Sequence, residues 1–185
     1  MPKQRINKKM VIDTAFEIAR KHGYETVTVG QIADTLGCSV QPVYSYCVSM
    51  DGLREELKHR VIEYFRREMT AKIDVNDFYL STAHALMGLA VNETNLFKLF
   101  IYSQRDNIKT VKDFYGLLAD ASLSRIAAAK FHLNPDAEHM MHSSIAVFTY
   151  GMCLMLVTTQ ITFEEANALL QTTYESLLQT AKRMV

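Results

Sequence analysis

Tryptophan is absent from the 185 residues, proline occurs three times, glycine seven times and cysteine three times. So few turn formers leave little room for short strands and tight hairpins, and the chain reads as long helical stretches. Cys38, Cys47 and Cys153 are odd in number and show neither CxxC nor metal-ligand spacing. That argues against a disulfide framework or zinc site and for a reduced, cytoplasmic setting. Net charge is lacking too, because 20 basic and 20 acidic side chains cancel, which excludes a polybasic wrapper of nucleic acid. No apolar signal core follows the N-terminus. The most apolar run, SIAVFTYGMCLMLV at 144–157, is 14 residues long; a membrane helix needs roughly 20, so no membrane partner is expected. No nucleophile–base pair, glycine-rich phosphate loop or carboxylate pair at useful spacing stands in the chain, so neither an enzyme nor a cofactor is expected.

What is present is a local charge bias and a helical pattern. Residues 1–50 carry a net +2 and residues 51–185 a net −2. Lys3, Arg5, Lys8 and Lys9 concentrate the basic excess in the first nine residues, as either a phosphate-seeking arm or a soluble tail. Val11, Ile12, Ala15, Phe16 and Ala19 share one face of a helix over 8–22 that Gly23 stops. Thr28 is a natural N-cap for VGQIADTL, and Gly37 ends that second helix.

The segment GCSVQPVYSYC at 37–47 then raises a question, since its one rigid residue is Pro42. Ser39 can cap a third short helix in which Pro42 is the third residue, where the missing N–H has no intrahelical partner anyway. Val43, Tyr46, Cys47 and Met50 then share the inward side, while Val40, Gln41, Tyr44 and Ser45 point out. Two short helices joined by a tight turn, the second showing uncharged donors, acceptors and methyl-sized groups, form a helix-turn-helix pattern suited to base edges and phosphates. Further helices are expected over about 51–72, capped by Ser49 or Asp51, and then over 77–92, 94–103, 109–131 with a break near Asp120, 136–159, and 163–183 capped by Thr162. The fold class is all-α, with about nine helices in two domains, 1–50 and 51–185.

Over residues 8–57 the order A-F…G-Y…T-V…I-A…L-G…V-Y-x-Y…L resembles the N-terminal domain of the TetR family of bacterial transcriptional regulators. The resemblance implies a homodimer that binds palindromic double-stranded DNA and a helical C-terminal domain that dimerises and takes a small-molecule inducer. It implies phosphate contacts for Thr28 and Tyr44, base-edge contacts for Val40, Gln41 and Pro42, and a place for Tyr46 near the DNA backbone. Ser39, Ser45 and the basic arm complete the candidate DNA-binding set. The chain departs from the family pattern at Cys47, where phenylalanine is usual, and at Met50, where a lysine usually opens the fourth helix.

The C-terminal part is rich in Met and aromatic residues, which fill ordinary cores and also line pliable apolar cavities. Met87, Phe97, Phe100, Phe114, His142 and Tyr150 are the candidates for holding an apolar or amphipathic effector. A redox switch at Cys38 and Cys47 lacks a basic neighbour. A metal site at His84, His139 and His142 lacks a His-x-x-x-His pair with a carboxylate. The reading is a ligand-responsive repressor. Its rival is a helical ligand-binding or interaction protein with a degenerate DNA-binding half.

Overall fold

The computed structural model describes residues 6–47, 49–118 and 121–184. The described residues form ten α-helices and two short 3-10 turns, with no strand among them. In chain order the helices are α1 (Lys8–His22), α2 (Val29–Leu36), α3 (Val40–Cys47), α4 (Met50–Thr70), α5 (Phe78–Asn92), α6 (Thr94–Tyr102), α7 (Val111–Tyr115), α8 (Ala121–Lys130), α9 (Pro135–Thr158) and α10 (Phe163–Arg183). The helix expected over 109–131 is thus two, α7 and α8. The first of them starts at a reciprocal capping box between Thr110 and Asp113 and stops at Gly116.

The chain divides into two compact units, Met1–Tyr64 with Glu93–Gln104, and Phe65–Asn92 with Arg105–Val185. α4 contributes residues to both. α6 belongs to the first unit, although it lies in the stretch 51–185 expected to form the second domain.

In the first unit α1 packs against α2, α3 and α6. Val11, Ala15, Ile32, Val43, Leu57, Leu96 and Phe97 are wholly buried there. A polar knot fixes one side of this core. Arg20 Nε donates to Glu93 Oε2 at 2.8 Å, its terminal nitrogen reaches Glu93 Oε1, and Tyr64 Oη donates to the same oxygen at 2.8 Å. Tyr64 also meets the Phe16 ring edge-on at 5.3 Å, so α1, α4 and the start of α6 are tied together at one point.

In the second unit α9 packs against α5 and α10. By length and composition alone α9 could cross a membrane, but Met141, Ile145, Met152 and Cys153 are buried in the bundle. Asn134 caps α9 by accepting the Ala137 N–H at 2.8 Å, with Pro135 at the first helical position. Thr162 caps α10 by accepting from Glu165 N at 3.1 Å.

Burial by itself would raise the Glu93 carboxyl, but the hydrogen bonds from Arg20 and Tyr64 outweigh it and hold the group below its ordinary value. A carboxylate depressed in the folded state stabilises the fold above its unfolded pKa of about 4.3, and that contribution disappears as pH falls toward the folded value. Glu93→Gln should therefore destabilise the protein by about 1–3 kcal/mol at neutral pH. In chemical denaturation the difference from wild type should shrink as pH drops below about 4.3. A difference that does not vary with pH would contradict this account of the knot.

Candidate nucleic-acid interface and ligand cavity

The α2–α3 corner is built by local chemistry. Thr28 Oγ1 accepts the Gln31 N–H at 3.2 Å and opens α2. Gly37 closes it in the left-handed region, at φ 64° and ψ 36°. There the Gly37 amide donates to the Asp34 carbonyl at 3.2 Å and the Cys38 amide to the Ala33 carbonyl at 3.0 Å. These bonds satisfy carbonyls that would otherwise be orphaned at the end of the helix and reverse the chain within three residues.

α3 rests on α1 and α2 through Val43, wholly buried, and Cys47, 6% exposed. Burial pushes the Cys47 thiol up, which suits a small core plug rather than a reactive thiolate. A Cβ on Gly52 would stand 2.6 Å from the Cys47 carbonyl oxygen, so glycine is what lets α4 begin against the end of α3.

On the other side, Val40 is 46% and Tyr44 51% exposed, and Ser39, Gln41 and Ser45 are exposed beside them. Pro42, the third residue of the helix, is half-buried. The Ser45 hydroxyl donates to the Pro42 carbonyl at 2.7 Å. Tyr46 is 37% exposed, and its hydroxyl donates to the Ile6 carbonyl at 2.9 Å, tying the residue two before α1 to α3. Of the basic arm, Lys8 pairs with Glu56 and Lys9 with Asp13, while Lys3 and Arg5 lie outside the described residues. Surface pairs of this kind contribute about 0–1 kcal/mol, so either lysine can be drawn to another anion at little cost. No acid or base stands on the outward side of α3, which can offer contacts but no proton chemistry.

The second unit holds a small, partly open cavity of ≈ 40 Å³ whose walls include Phe78, Tyr79, Thr82, Tyr115, His142 and Tyr150. His142 is 4% exposed. Its ring stacks on Tyr115 at 3.9 Å between centroids and 13° between planes. Its Nδ1 lies 3.2 Å from Ser124 Oγ, which donates to Glu138 Oε1 at 2.6 Å. Burial lowers the His142 pKa and nearby Glu138 only partly opposes this, so the ring is neutral at neutral pH. Tyr79 Oη and Thr82 Oγ1 are buried without a protein hydrogen-bond partner. Beyond the stacked pair lies a second, polar hollow of ≈ 340 Å³, lined by Lys112, Ser124, Arg125 and Glu138 and again by Tyr115 and His142.

Of the aromatic and Met candidates, the structure brings His142 and Tyr150 to the cavity wall, with Phe114 packed on Tyr150 at 4.7 Å between centroids. Met87 is wholly buried in α5 but does not line the cavity. Phe97 and Phe100 pack 6.3 Å apart in the first unit. Tyr115 is one of the C-terminal aromatic residues of the type expected in a core or cavity, whereas Tyr79, Thr82, Ser124 and Glu138 were not singled out in the sequence. Two signals pointed to them: Thr82, a hydroxyl inside an apolar helix, and Glu138 four residues before His142 on one helix face.

Residues 11–57 match the family model described as bacterial regulatory proteins, tetR family. The N-terminal region is a TetR-family domain. The solved structures extend the likeness of fold across the whole chain. A Shewanella sp. PV-4 protein assigned to the tetR family of transcription regulators shares 17% identity, with 96% of this chain and 98% of that one covered at a TM-score of 0.61. A TetR variant from Acinetobacter baumannii AYE, in complex with minocycline, shares 13%, with 97% and 98% covered at 0.61. The TetR family protein ActR from Streptomyces coelicolor, in complex with (S)-DNPA, shares 10%, with 98% and 100% covered at 0.61. No curated protein matches the chain in sequence. The chain thus has the all-helical fold of TetR-family transcription regulators, with a helix-turn-helix formed by α2 and α3.

Because L-residues pay roughly 1–2 kcal/mol to enter the left-handed region, Gly37→Ala should destabilise the protein by about that amount. There is open space around the missing Cβ, so the loss would come from backbone conformation alone. An unchanged denaturation midpoint would show that the turn is not held at this φ.

Proposed function

We propose that the protein is a ligand-responsive repressor that binds palindromic DNA as a homodimer, reading base edges through α3. The observation that carries this reading is the outward side of α3, where Val40, Gln41 and Tyr44 stand exposed and uncharged on a helix anchored from beneath by Val43 and Cys47. Gln41 has the amide geometry to pair with adenine in the major groove, and Val40 and Pro42 suit thymine methyl groups. Thr28 and Tyr44 provide hydroxyls for phosphates, and Lys8 and Lys9 exchange weak surface partners for the DNA backbone. Two copies of α3 about 34 Å apart would enter successive major grooves. Selection from a random duplex pool should enrich a palindrome. Gln41→Ala and Tyr44→Ala should each weaken binding to it by about 1–3 kcal/mol in fluorescence anisotropy with helicity unchanged. Full affinity in both variants would remove α3 from the interface.

The dimer is supported by the apolar surface that the last two helices leave uncovered. Val147 is 58%, Leu154 38% and Leu169 49% exposed, with Phe148 and Leu177 half-buried around a shallow groove. Pairing two copies through α9 and α10 as a four-helix interface would cover this surface. In sedimentation velocity at micromolar concentration the protein should run as a dimer and Val147→Asp as a monomer. A monomeric wild type would contradict the proposal.

The effector reading is supported by the cavity in the second unit, which combines apolar walls with a few polar groups. The A. baumannii and S. coelicolor relatives were solved with minocycline and (S)-DNPA. In the proposed mechanism the effector binds a state in which the two α3 helices are wrongly spaced, and so draws the population off DNA.

A further inference from the structure

The cavity has an unusual polar content. Tyr79 and Thr82 are three residues apart on α5 and so share one of its faces, and both line the cavity. Their hydroxyls are buried without a protein partner, an arrangement that costs free energy until something supplies the missing hydrogen bonds. None of the lining side chains carries a permanent charge, and His142 is held neutral. Beside Tyr79 and Thr82 an ionised group would lose its hydration without meeting a counter-charge, because Lys112 and Arg125 line only the hollow beyond Tyr115.

The cavity is also small. At ≈ 40 Å³ it falls well short of the roughly 150 Å³ that takes a benzene ring. The side chain placed to yield is Tyr115. It is half-buried, sits at the end of the five-residue α7, and forms part of the wall of both the cavity and the polar hollow beyond it. If it swings away, the two spaces join and the flat face of His142, now covered by the Tyr115 ring at 3.9 Å, becomes a stacking platform.

Building on the effector reading, we propose that this cavity binds an uncharged, flat, mainly apolar molecule carrying one hydroxyl or carbonyl oxygen. Its ring replaces Tyr115 on His142, and its oxygen completes the hydrogen bonding of Tyr79 and Thr82. Tyr115 is the door.

Three naphthalene probes separate the components of this claim by calorimetry on the full chain: 2-naphthol, naphthalene and 2-naphthoate. 2-Naphthol should bind at least about tenfold more tightly than either of the others, because only it offers an oxygen without a charge. Tyr79→Phe combined with Thr82→Val should abolish the preference over naphthalene, and Tyr115→Ala should speed association in stopped-flow mixing. If a variant fails to fold, the ranking of the three probes on the wild type decides. Naphthoate binding as tightly as naphthol, a preference that survives the double substitution, or no binding by any probe would each overturn the proposal. These measurements use no DNA. If 2-naphthol binds as described yet leaves operator binding unchanged, the ligand-responsive part of the repressor reading fails and the ligand assignment stands.

Discussion

A helix of eight residues is too short to be stable in water by itself, and α3 sinks only two side chains, Val43 and Cys47, into a core. Everything the first unit does to position its outward side chains follows from that constraint. The left-handed turn at Gly37 fixes the approach, the bare Cα of Gly52 allows α4 to start where α3 ends, and Tyr46 ties Ile6 to α3. The Arg20–Glu93–Tyr64 knot then holds the platform of α1, α4 and α6. None of these devices touches the exposed residues Gln41 and Tyr44, which leaves those positions free to vary in contact chemistry without loss of fold.

The two units solve the problem of polar groups in opposite ways. In the first, the polar knot is saturated: Glu93 receives donors from Arg20 and Tyr64, and the Arg20 carbonyl accepts from Asn95 at 3.0 Å. In the second, the hydrogen bonds around His142 are distributed unevenly. Ser124 and Glu138 satisfy the Nδ1 side, while the hydroxyls of Tyr79 and Thr82 remain unpaired. A saturated network rigidifies, whereas an unsaturated one is a standing preference for a visitor.

Much of this was legible in the sequence because the signals were local. Thr28 and Gly37 mark the ends of α2, Thr162 marks the start of α10, and the apolar spacing of Val11, Ala15 and Phe16 marks the buried face of α1. The helix-turn-helix followed from those marks together with Pro42, whose missing N–H is harmless only in a first turn. What escaped depends on partners distant in sequence. α6 joins the first unit through an ion pair between residues 73 positions apart, and nothing within α6 announces it. Phe97 and Phe100 look like cavity residues by type, but an aromatic side chain does not reveal which of two cores it fills. The cavity wall is likewise assembled from α4, α5, α7 and α9, and within single helices only Thr82 in apolar α5 and the spacing of Glu138 and His142 on α9 hint at it. Cys47, a departure from the family pattern, is a well-buried plug at 6% exposure, so the smaller side chain has not opened the corner.

The tightness of the cavity has a consequence for dose response. If the effector must wait for an opened form, its apparent dissociation constant is its intrinsic one divided by the fraction of molecules already open. The set point of the proposed switch is then a property of packing as much as of contact. Apolar side chains that share the cavity wall with Tyr115, such as Leu118, buried at 3% exposure, would govern the effector concentration needed without belonging to the ligand's hydrogen-bonding site. Sensitivity could drift over generations through substitutions of this kind while the chemical identity of the signal stayed the same.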